Sequence, residues 1–275
     1  MPSVEELLAE GVARLARHDS AKLDAELLLG KVLDRPREWL LAHPEEPVER
    51  QSADAFSHLL NRRAAGEPVA YLTGEREFFG RLFTVTPAVL VPRPESELLV
   101  SEALRILRPG DVVVDVGTGS GCIGITIAAE RPDTAVHLVD VSEKALAVAE
   151  RNAARLGVAV TSHQADLWPT TLDAKGTVVV ANLPYVSDAG YEANPDLVHE
   201  PAVALRGGPD GLQLIRRLLE RLEANPPRAV LLEIDPGQSQ DLADSNWRAS
   251  FSKDLAGRSR VAILTPALRE RPVAL

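Results

Sequence analysis

From about residue 87 onward, short apolar runs alternate with helical patterns, and that alternation leaves few folds open. The strand candidates are Val112–Val116, Ala135–Val139, Val158–Ser162, Thr177–Ala181, Ala229–Ile234 and Arg260–Leu264. Helical patterns at Cys122–Glu130, Glu143–Leu156 and Leu212–Leu222 lie between most of them. Runs such as Thr177-Val-Val-Val-Ala181 suit strands covered on both faces. Strands alternating with helices predict an α/β fold, a mostly parallel, Rossmann-like sheet with helices on each side.

The first 70 residues have a different character. Ser3 followed by Glu6 is a capping-box signature, and Leu7, Leu8, Val12 and Leu15 then share one helical face. Leu23, Leu27, Leu28 and Val32 form a second stripe, and a short third helix carries Trp39 and Leu40. A fourth helix runs from about Val48 to Ala65, with Gly66 as its stop. These patterns predict a small helical bundle. Between bundle and sheet, strand-type residues flank Gly80 from Glu77 to Val85, which predicts a hairpin. The expected organisation is therefore a helical bundle over 1–70, a hairpin linker over 71–87 and a sheet domain over 88–275.

Charge and cysteine content narrow the class of partner. A net charge of −10 disfavours a ligand gripped mainly through phosphates, so direct nucleic-acid binding is not expected. The single cysteine, Cys122, excludes an internal disulfide and suits a reducing compartment. No apolar run approaches a membrane span, and the first residues lack the pattern of a secretion signal. A cytoplasmic protein is expected. The six histidines (18, 43, 58, 137, 163 and 199) show no metal-ligand spacing, so no metal site is expected. Cys122 has no base beside it in sequence and reads as a packed residue at a helix start.

The first strand of the sheet runs into Gly117-Thr118-Gly119-Ser120-Gly121. Glycines there let the backbone approach a ligand closely, at the carboxyl end of a strand where such sheets bind ligands. The spacing is G-x-G-x-G, preceded by Asp115, rather than the G-x-G-x-x-G of dinucleotide binders. Asp140, closing the next strand, can accept hydrogen bonds from both hydroxyls of a ribose. S-adenosyl-L-methionine has that ribose, no phosphate, a cationic sulfonium and a carboxylate suited to a helix N-terminus. Asp166, Leu167 and Trp168 follow a later strand and offer a carboxylate and an apolar wall to an adenine. The alternative is that Leu167 and Trp168 only pack.

Asn182-Leu183-Pro184-Tyr185, at the end of the strand Thr177–Ala181, points to a reaction. An amide or aniline nitrogen is a weak nucleophile because its lone pair is delocalised. Two acceptors aimed at its two hydrogens return electron density to it. The Asn182 side-chain oxygen can be one acceptor and the Leu183 carbonyl the other. Pro184 restricts residue 183 to extended geometry, and Tyr185 offers a flat face to a planar group. No strong general base is needed. Catalysis would be alignment and electrostatics, with Asn182, Pro184 and Tyr185 as the catalytic set.

These residues resemble the class I S-adenosylmethionine-dependent methyltransferases that carry an Asn-Pro-Pro-Tyr motif, and in particular the peptide chain release factor N5-glutamine methyltransferases (the PrmC/HemK family). The resemblance extends to Pro68–Phe79, to Val89–Glu97 with its Pro92-Arg93-Pro94-Glu95-Ser96-Glu97 signature, to Glu200-Pro201-Ala202 with Leu205, Gly207-Gly208 and Asp210-Gly211, and to Leu255–Val261. It implies methylation of the glutamine side-chain amide in the Gly-Gly-Gln loop of class I release factors. It also implies that Asn182–Tyr185 hold that amide, that Gly117–Gly121 with Asp140 hold S-adenosyl-L-methionine, and that the helical domain helps dock the release factor. Leu183 stands where the family has its first proline, and Ser96 where it usually has threonine. A glutamine methyltransferase of a ribosomal protein and an adenine-N6 methyltransferase of nucleic acid share the same motif chemistry. A non-catalytic binding module is a third alternative, and it need not keep acceptors at the transfer point.

Overall fold

Capping and burial explain where the elements begin and end in the computed structural model, which describes residues 1–267. The last eight residues of the expected 88–275 domain lie outside the described residues. The chain forms two compact units, Met1–Glu75 and Arg76–Leu275.

The first unit holds α1 (Val4–Arg14), α2 (Ala21–Leu33), α3 (Arg37–Ala42), α4 (Arg50–Ala64) and the short α5 (Val69–Thr73). Ser3 caps α1 as its sequence predicts. Its hydroxyl accepts from the Glu6 amide at 3.2 Å, and its own amide donates to the Glu6 carboxylate at 2.9 Å. Val4, Leu7, Leu15, Leu28, Leu29, Phe56 and Leu60 form the core. Gly11 sits where α1 meets α2 and α4. A β-carbon there would lie 2.9 Å from Ala25 and 3.0 Å from Phe56. Two buried acids are each paired: Asp24 with Arg63 at 2.7 Å, and Glu26 with Arg37.

The second unit opens with a hairpin, β1 (Glu75–Phe78) and β2 (Arg81–Thr84). Phe79 and Gly80 both have positive φ, +51° and +70°, the geometry of a tight hairpin turn. Phe78 and Phe83 meet edge to face, with ring centroids 6.1 Å apart, inside the core of this unit. The remaining elements are α6 (Ser96–Ile106), β3 (Val112–Val116), α7 (Cys122–Glu130), β4 (Ala135–Asp140), α8 (Glu143–Leu156), β5 (Thr161–Gln164), β6 (Val178–Ala181), α9 (Asp188–Ala193), α10 (Gln213–Leu222), β7 (Ala229–Glu233), α11 (Ser239–Ala243), β8 (Trp247–Lys253) and β9 (Ser259–Pro266).

The seven strands β3–β9 form one sheet in the order β5-β4-β3-β6-β7-β9-β8. The first five are parallel, and β9 runs antiparallel to β7 and β8. Successive strand residues feed opposite faces. Val113, Val178, Val180 and Leu231 pack with α6, α7 and α8, whereas Val114, Val116, Val179, Val230 and Leu232 pack with α10. Both faces are therefore covered, which is why the strands read as unbroken apolar runs.

Helices α7 and α8 have the limits their sequence predicts, and their caps show why. Gly121 precedes α7 with φ +81°, Ser142 caps α8 through a 3.2 Å bond from the Ala145 amide, and Gly157 closes α8 with φ +68°. Strand β5 starts three residues later than expected. The Val158 amide bonds back to the Ala153 carbonyl and finishes the helix instead of joining the sheet. Strand β8 and helix α6 are additions that the sequence pattern did not single out.

Asn152, fully buried on α8, ties three segments together. Its oxygen accepts from the Thr84 amide at 2.8 Å, and its nitrogen donates to the carbonyls of Thr84 at 3.0 Å and Ser120 at 2.9 Å. One side chain thus fastens the hairpin and the glycine loop to the same helix. Replacing it leaves buried donors and acceptors unpaired, which costs roughly 1–3 kcal/mol per site. Asn152→Ala should lower unfolding stability by about 2–4 kcal/mol, measured by urea denaturation. A loss below about 1 kcal/mol would show that the tie contributes little.

Candidate active site

The chain leaves β3 and β4 on one side and returns to β6 on the other, so the strand order reverses between β3 and β6. Ligands of open α/β sheets bind outside the carboxyl ends of the strands at such a point. A cavity of about 310 Å³ lies there. Its walls come from the glycine loop, from Asp140 to Ser142, from Ala165 to Leu167, from Asn182 to Pro184 and from Ala88 to Arg93.

The loop is shaped by Asp115, which is fully buried in β3. One oxygen accepts from the Thr118 hydroxyl at 2.6 Å and from the Gly124 amide at 2.9 Å. The other, Oδ1, has no hydrogen-bond partner among the described residues. Burial pushes this carboxyl up to about 6, against the pull of its two donors. Asp115 therefore braces the turn from beneath. Gly117, Gly119 and Gly121 all have positive φ. A β-carbon on Gly117 would lie 3.1 Å from Leu183, and one on Gly121 would lie 2.5 Å from Ile125. At Gly119 nothing stands within 4 Å, and the loop faces the cavity there.

The loop amides are mostly used within the protein. Those of Gly117 and Thr118 donate to the Val139 carbonyl at 2.8 and 3.0 Å, and that of Gly121 to Thr118 at 2.8 Å. The Gly119 amide donates to Asp140 at 2.9 Å. The loop offers a ligand close approach more than a row of free donors. Asp140 takes a second bond from the Ser142 amide at 2.9 Å, and burial raises its pKa. The Val141 amide also helps hold this carboxylate, which has about four acceptor positions in all, so acceptor capacity remains for a ligand hydroxyl.

Asn182 follows β6 directly. Its side-chain nitrogen donates to the buried Ser96 hydroxyl at 3.0 Å, and its oxygen accepts from no donor among the described residues. Leu183 and Pro184 line the cavity beside it. The Pro92-Arg93 segment is docked by Glu200, whose carboxylate accepts from the Val91 amide at 3.0 Å and pairs with Arg93. Two segments far apart in sequence, both singled out by the resemblance, thus meet at one wall.

Gly117, Thr118, Gly119, Ser120, Asp140, Leu167, Asn182, Leu183 and Pro184 are brought together around this cavity. Gly121, Trp168 and Tyr185 are not among its walls. Gly121 allows the loop to close against Ile125 and Ala149. Leu167 has φ +67°, and Trp168, half-buried, packs against the core on the α10 side of the sheet, its indole donating to the Leu172 carbonyl at 2.9 Å. Tyr185 faces Glu233 at the end of β7, donating to that carboxylate at 3.3 Å, and burial raises its pKa. Trp168 thus packs outside the walls of this cavity. Sequence reading missed Ser96, Glu200 and Glu233 as parts of the site. The one signal for Glu233 was an acid closing the otherwise apolar run Ala229–Leu232.

Cys122 sits at the cavity wall. Burial pushes its thiol up to about 12. Among the described residues no cluster of histidine, cysteine and acidic side chains could hold a metal ion. No helix among them is long and apolar enough to cross a membrane.

Comparison with known proteins bears on the family and the fold. Residues 6–74 match the PrmC N-terminal domain family, and residues 94–215 match the methyltransferase small domain family. The chain is 40% identical over 273 residues to the release factor glutamine methyltransferase of Moorella thermoacetica, covering 94% of this chain and 96% of that protein. It is 45% identical over 253 residues to the protein of that name from Bordetella pertussis, covering 88% and 93%. Among solved structures, the hMettl16 catalytic domain in complex with the MAT2A 3′UTR hairpin 6 superposes with a TM-score of 0.56 at 14% identity, over 76% of this chain and 81% of that one. That likeness carries the fold alone, and the fold is that of the class I methyltransferases.

Asp115 gives a pH-dependent test of the loop. Its carboxyl titrates near 3.8 when unfolded and near 6 when folded. Between those values the unfolded chain has lost the proton and the folded chain keeps it, so stability falls as pH rises from about 4 to about 6. The loss is roughly 2–3 kcal/mol. Asp115→Asn cannot ionise. Urea unfolding from pH 4 to pH 7 should show that decline in the wild type and a flatter profile in the variant, whereas equal slopes would contradict the assignment.

Proposed function

Because the chain belongs to the release factor glutamine methyltransferase family, we propose that it transfers a methyl group from S-adenosyl-L-methionine to the side-chain amide nitrogen of the glutamine in the Gly-Gly-Gln loop of class I release factors. The observation that carries this reading is the placement of Asn182. It stands at the strand-order reversal, in the wall of the cavity, with its amide nitrogen taken up by Ser96 and its oxygen left to accept.

The cavity fits S-adenosyl-L-methionine by the chemistry of its walls. Asp140 presents a carboxylate with acceptor capacity to spare, suited to the hydroxyls of a ribose. Gly119 lets the backbone come close without a side chain in the way. Leu167 supplies an apolar surface beside Asp166, which is itself held by Arg217 at 2.6 Å and by Arg221 at 2.9 Å. When bound, S-adenosyl-L-methionine supplies an electrophilic methyl group on a sulfonium.

The protein's own residues prepare the acceptor nitrogen. Asn182 Oδ1 and the Leu183 carbonyl each accept one hydrogen of the planar glutamine amide, fixing its plane and raising electron density at nitrogen. Pro184 holds residue 183 extended, so its carbonyl keeps that aim without the proline usual at 183. Tyr185, anchored by its hydroxyl to Glu233, stiffens the far end of the tetrapeptide. Nitrogen acidity rises sharply as the new bond forms, so its proton leaves without a strong base at the site. Alignment and electrostatic complementarity supply the acceleration. The helical unit adds a docking surface for the release factor, and the reaction takes place in the cytoplasm.

Mass spectrometry of a release factor incubated with the protein and labelled S-adenosyl-L-methionine tests this directly. One added methyl on the Gly-Gly-Gln glutamine is expected. An unmodified glutamine together with normal cofactor binding would sink the substrate assignment. Asn182→Ala should lower kcat by about a hundredfold to a thousandfold, with cofactor affinity changed by less than about threefold. Asp140→Ala should act the other way round, weakening S-adenosyl-L-methionine binding by about tenfold to a hundredfold in calorimetry, as expected for the loss of one or two charged hydrogen bonds.

A further inference from the structure

An asparagine side chain is nearly symmetric in shape and opposite in polarity at its two ends. Reversed, Asn182 would present an NH₂ group to the substrate amide, donor against donor, and would repel what it has to hold. Something must decide which way round it sits.

The first link is on the page: Asn182 Nδ2 donates to Ser96 Oγ at 3.0 Å. A hydroxyl, however, can serve either orientation, accepting from Nδ2 or donating to Oδ1. Ser96 is only 2% exposed, so water does not settle the matter. The Glu233 carboxylate, whose charge the neighbouring Ser96 hydroxyl stabilises, is equally buried, and among the described residues no donor meets its Oε2 in full hydrogen-bonding geometry. An ionised carboxylate can only accept. A hydroxyl facing it is drawn to donate toward it, which leaves the hydroxyl lone pairs for Asn182 Nδ2. The other oxygen of Glu233 takes the Tyr185 hydroxyl at 3.3 Å.

We propose that Glu233 is a positioning residue that sets the direction of a hydrogen-bond chain through Ser96 to Asn182 and so turns the amide oxygen of Asn182 toward the substrate nitrogen. The same carboxylate anchors Tyr185, so one acid at the end of β7 holds both ends of the tetrapeptide that ends β6. Burial raises the Glu233 pKa, and the Ser96 and Tyr185 hydroxyls and Arg260 oppose that rise. The inference rests on the reading that Asn182 accepts a hydrogen bond from the substrate amide.

The decisive change is Glu233→Gln, which keeps the shape and adds a donor. Ser96 can then accept from the new amide and donate to Asn182 Oδ1, reversing the chain. Two readouts apply to the full-length protein. In the first, methyl transfer to a release factor should lose about tenfold to a hundredfold in kcat, with KM for the release factor changed by less than about threefold, as for other groups that orient a contacting residue. Ser96→Ala should show the same split, and Ser96→Thr, which keeps the hydroxyl, should restore most of what Ser96→Ala loses.

The second readout needs no substrate. In ¹H–¹⁵N spectra the Asn182 side-chain amide, assigned by its absence in Asn182→Ala, should exchange slowly with solvent in the wild type and faster in Glu233→Gln and Ser96→Ala. Unchanged kcat and unchanged exchange in both variants would overturn the proposal. Lost kcat with unchanged exchange, or with no recovery in Ser96→Thr, would overturn it too, since that pattern marks general destabilisation. The expected exchange pattern in a protein whose wild type leaves the release factor unmethylated would uphold the chain and refute the substrate assignment instead.

Discussion

The register of the parallel strands is the constraint on which the site depends. Val116 lies opposite both Val139 and Ala181, and Ala181 lies opposite Leu232. The next residue on each strand is then Gly117, Asp140, Asn182 or Glu233. One step past a shared row of aliphatic side chains, four residues of different chemistry stand side by side. One gives close backbone approach, one a carboxylate for hydroxyl groups, one an amide acceptor and one a buried acid. A slip of one residue in any pairing would send that side chain to the opposite face of the sheet. The apolar runs that fill the two cores therefore also set the spacing of the chemistry.

The loop between β3 and α7 adds a second level of control. Asp115 braces it, Asn152 fastens it to α8, and Gly121 and Gly124 let it settle against neighbours that a β-carbon would strike. At Gly124 that β-carbon would lie 2.5 Å from Leu138 and 2.9 Å from Asp115. Most loop amides are consumed in holding this shape. On the proposed reading, recognition rests on contour and on Asp140, which suits a ligand with no phosphate and distinguishes this turn from the anion-binding turns of dinucleotide enzymes.

Much of the architecture was legible because local rules and global packing agree. Helices α7 and α8 carry caps at the ends their sequences suggest, and the strands β3, β4, β6 and β7 are apolar because both faces are covered. The failures have local causes too. Val158 and Val160 look like strand residues and pack as such, yet Val158 closes a helix. The strand β8 is an edge strand whose residues Trp247 to Ser252 alternate apolar and polar, so its period-two signal was present in the sequence and was passed over. Trp168 reads as a ligand wall, yet after the left-handed Leu167 it packs, half-buried, outside the cavity walls. Glu233 was invisible because its partners, Ser96 and Tyr185, come from two other parts of the chain, and no spacing rule links three residues that only the sheet brings together.

Cys122 closes this account from an unexpected side. A sulfur nucleophile lies in the wall of a cavity that, on the reading above, holds an alkylating reagent. Thiolates, not thiols, are the reactive form. With its acidity suppressed to about 12 by burial, roughly one Cys122 in a hundred thousand is ionised at neutral pH. The helix start that packs this residue so tightly also disarms it. The site can keep a soft, space-filling atom beside a methyl donor without labelling itself, a form of self-protection achieved mainly by desolvation, with the Asp115 and Glu233 carboxylates adding to it.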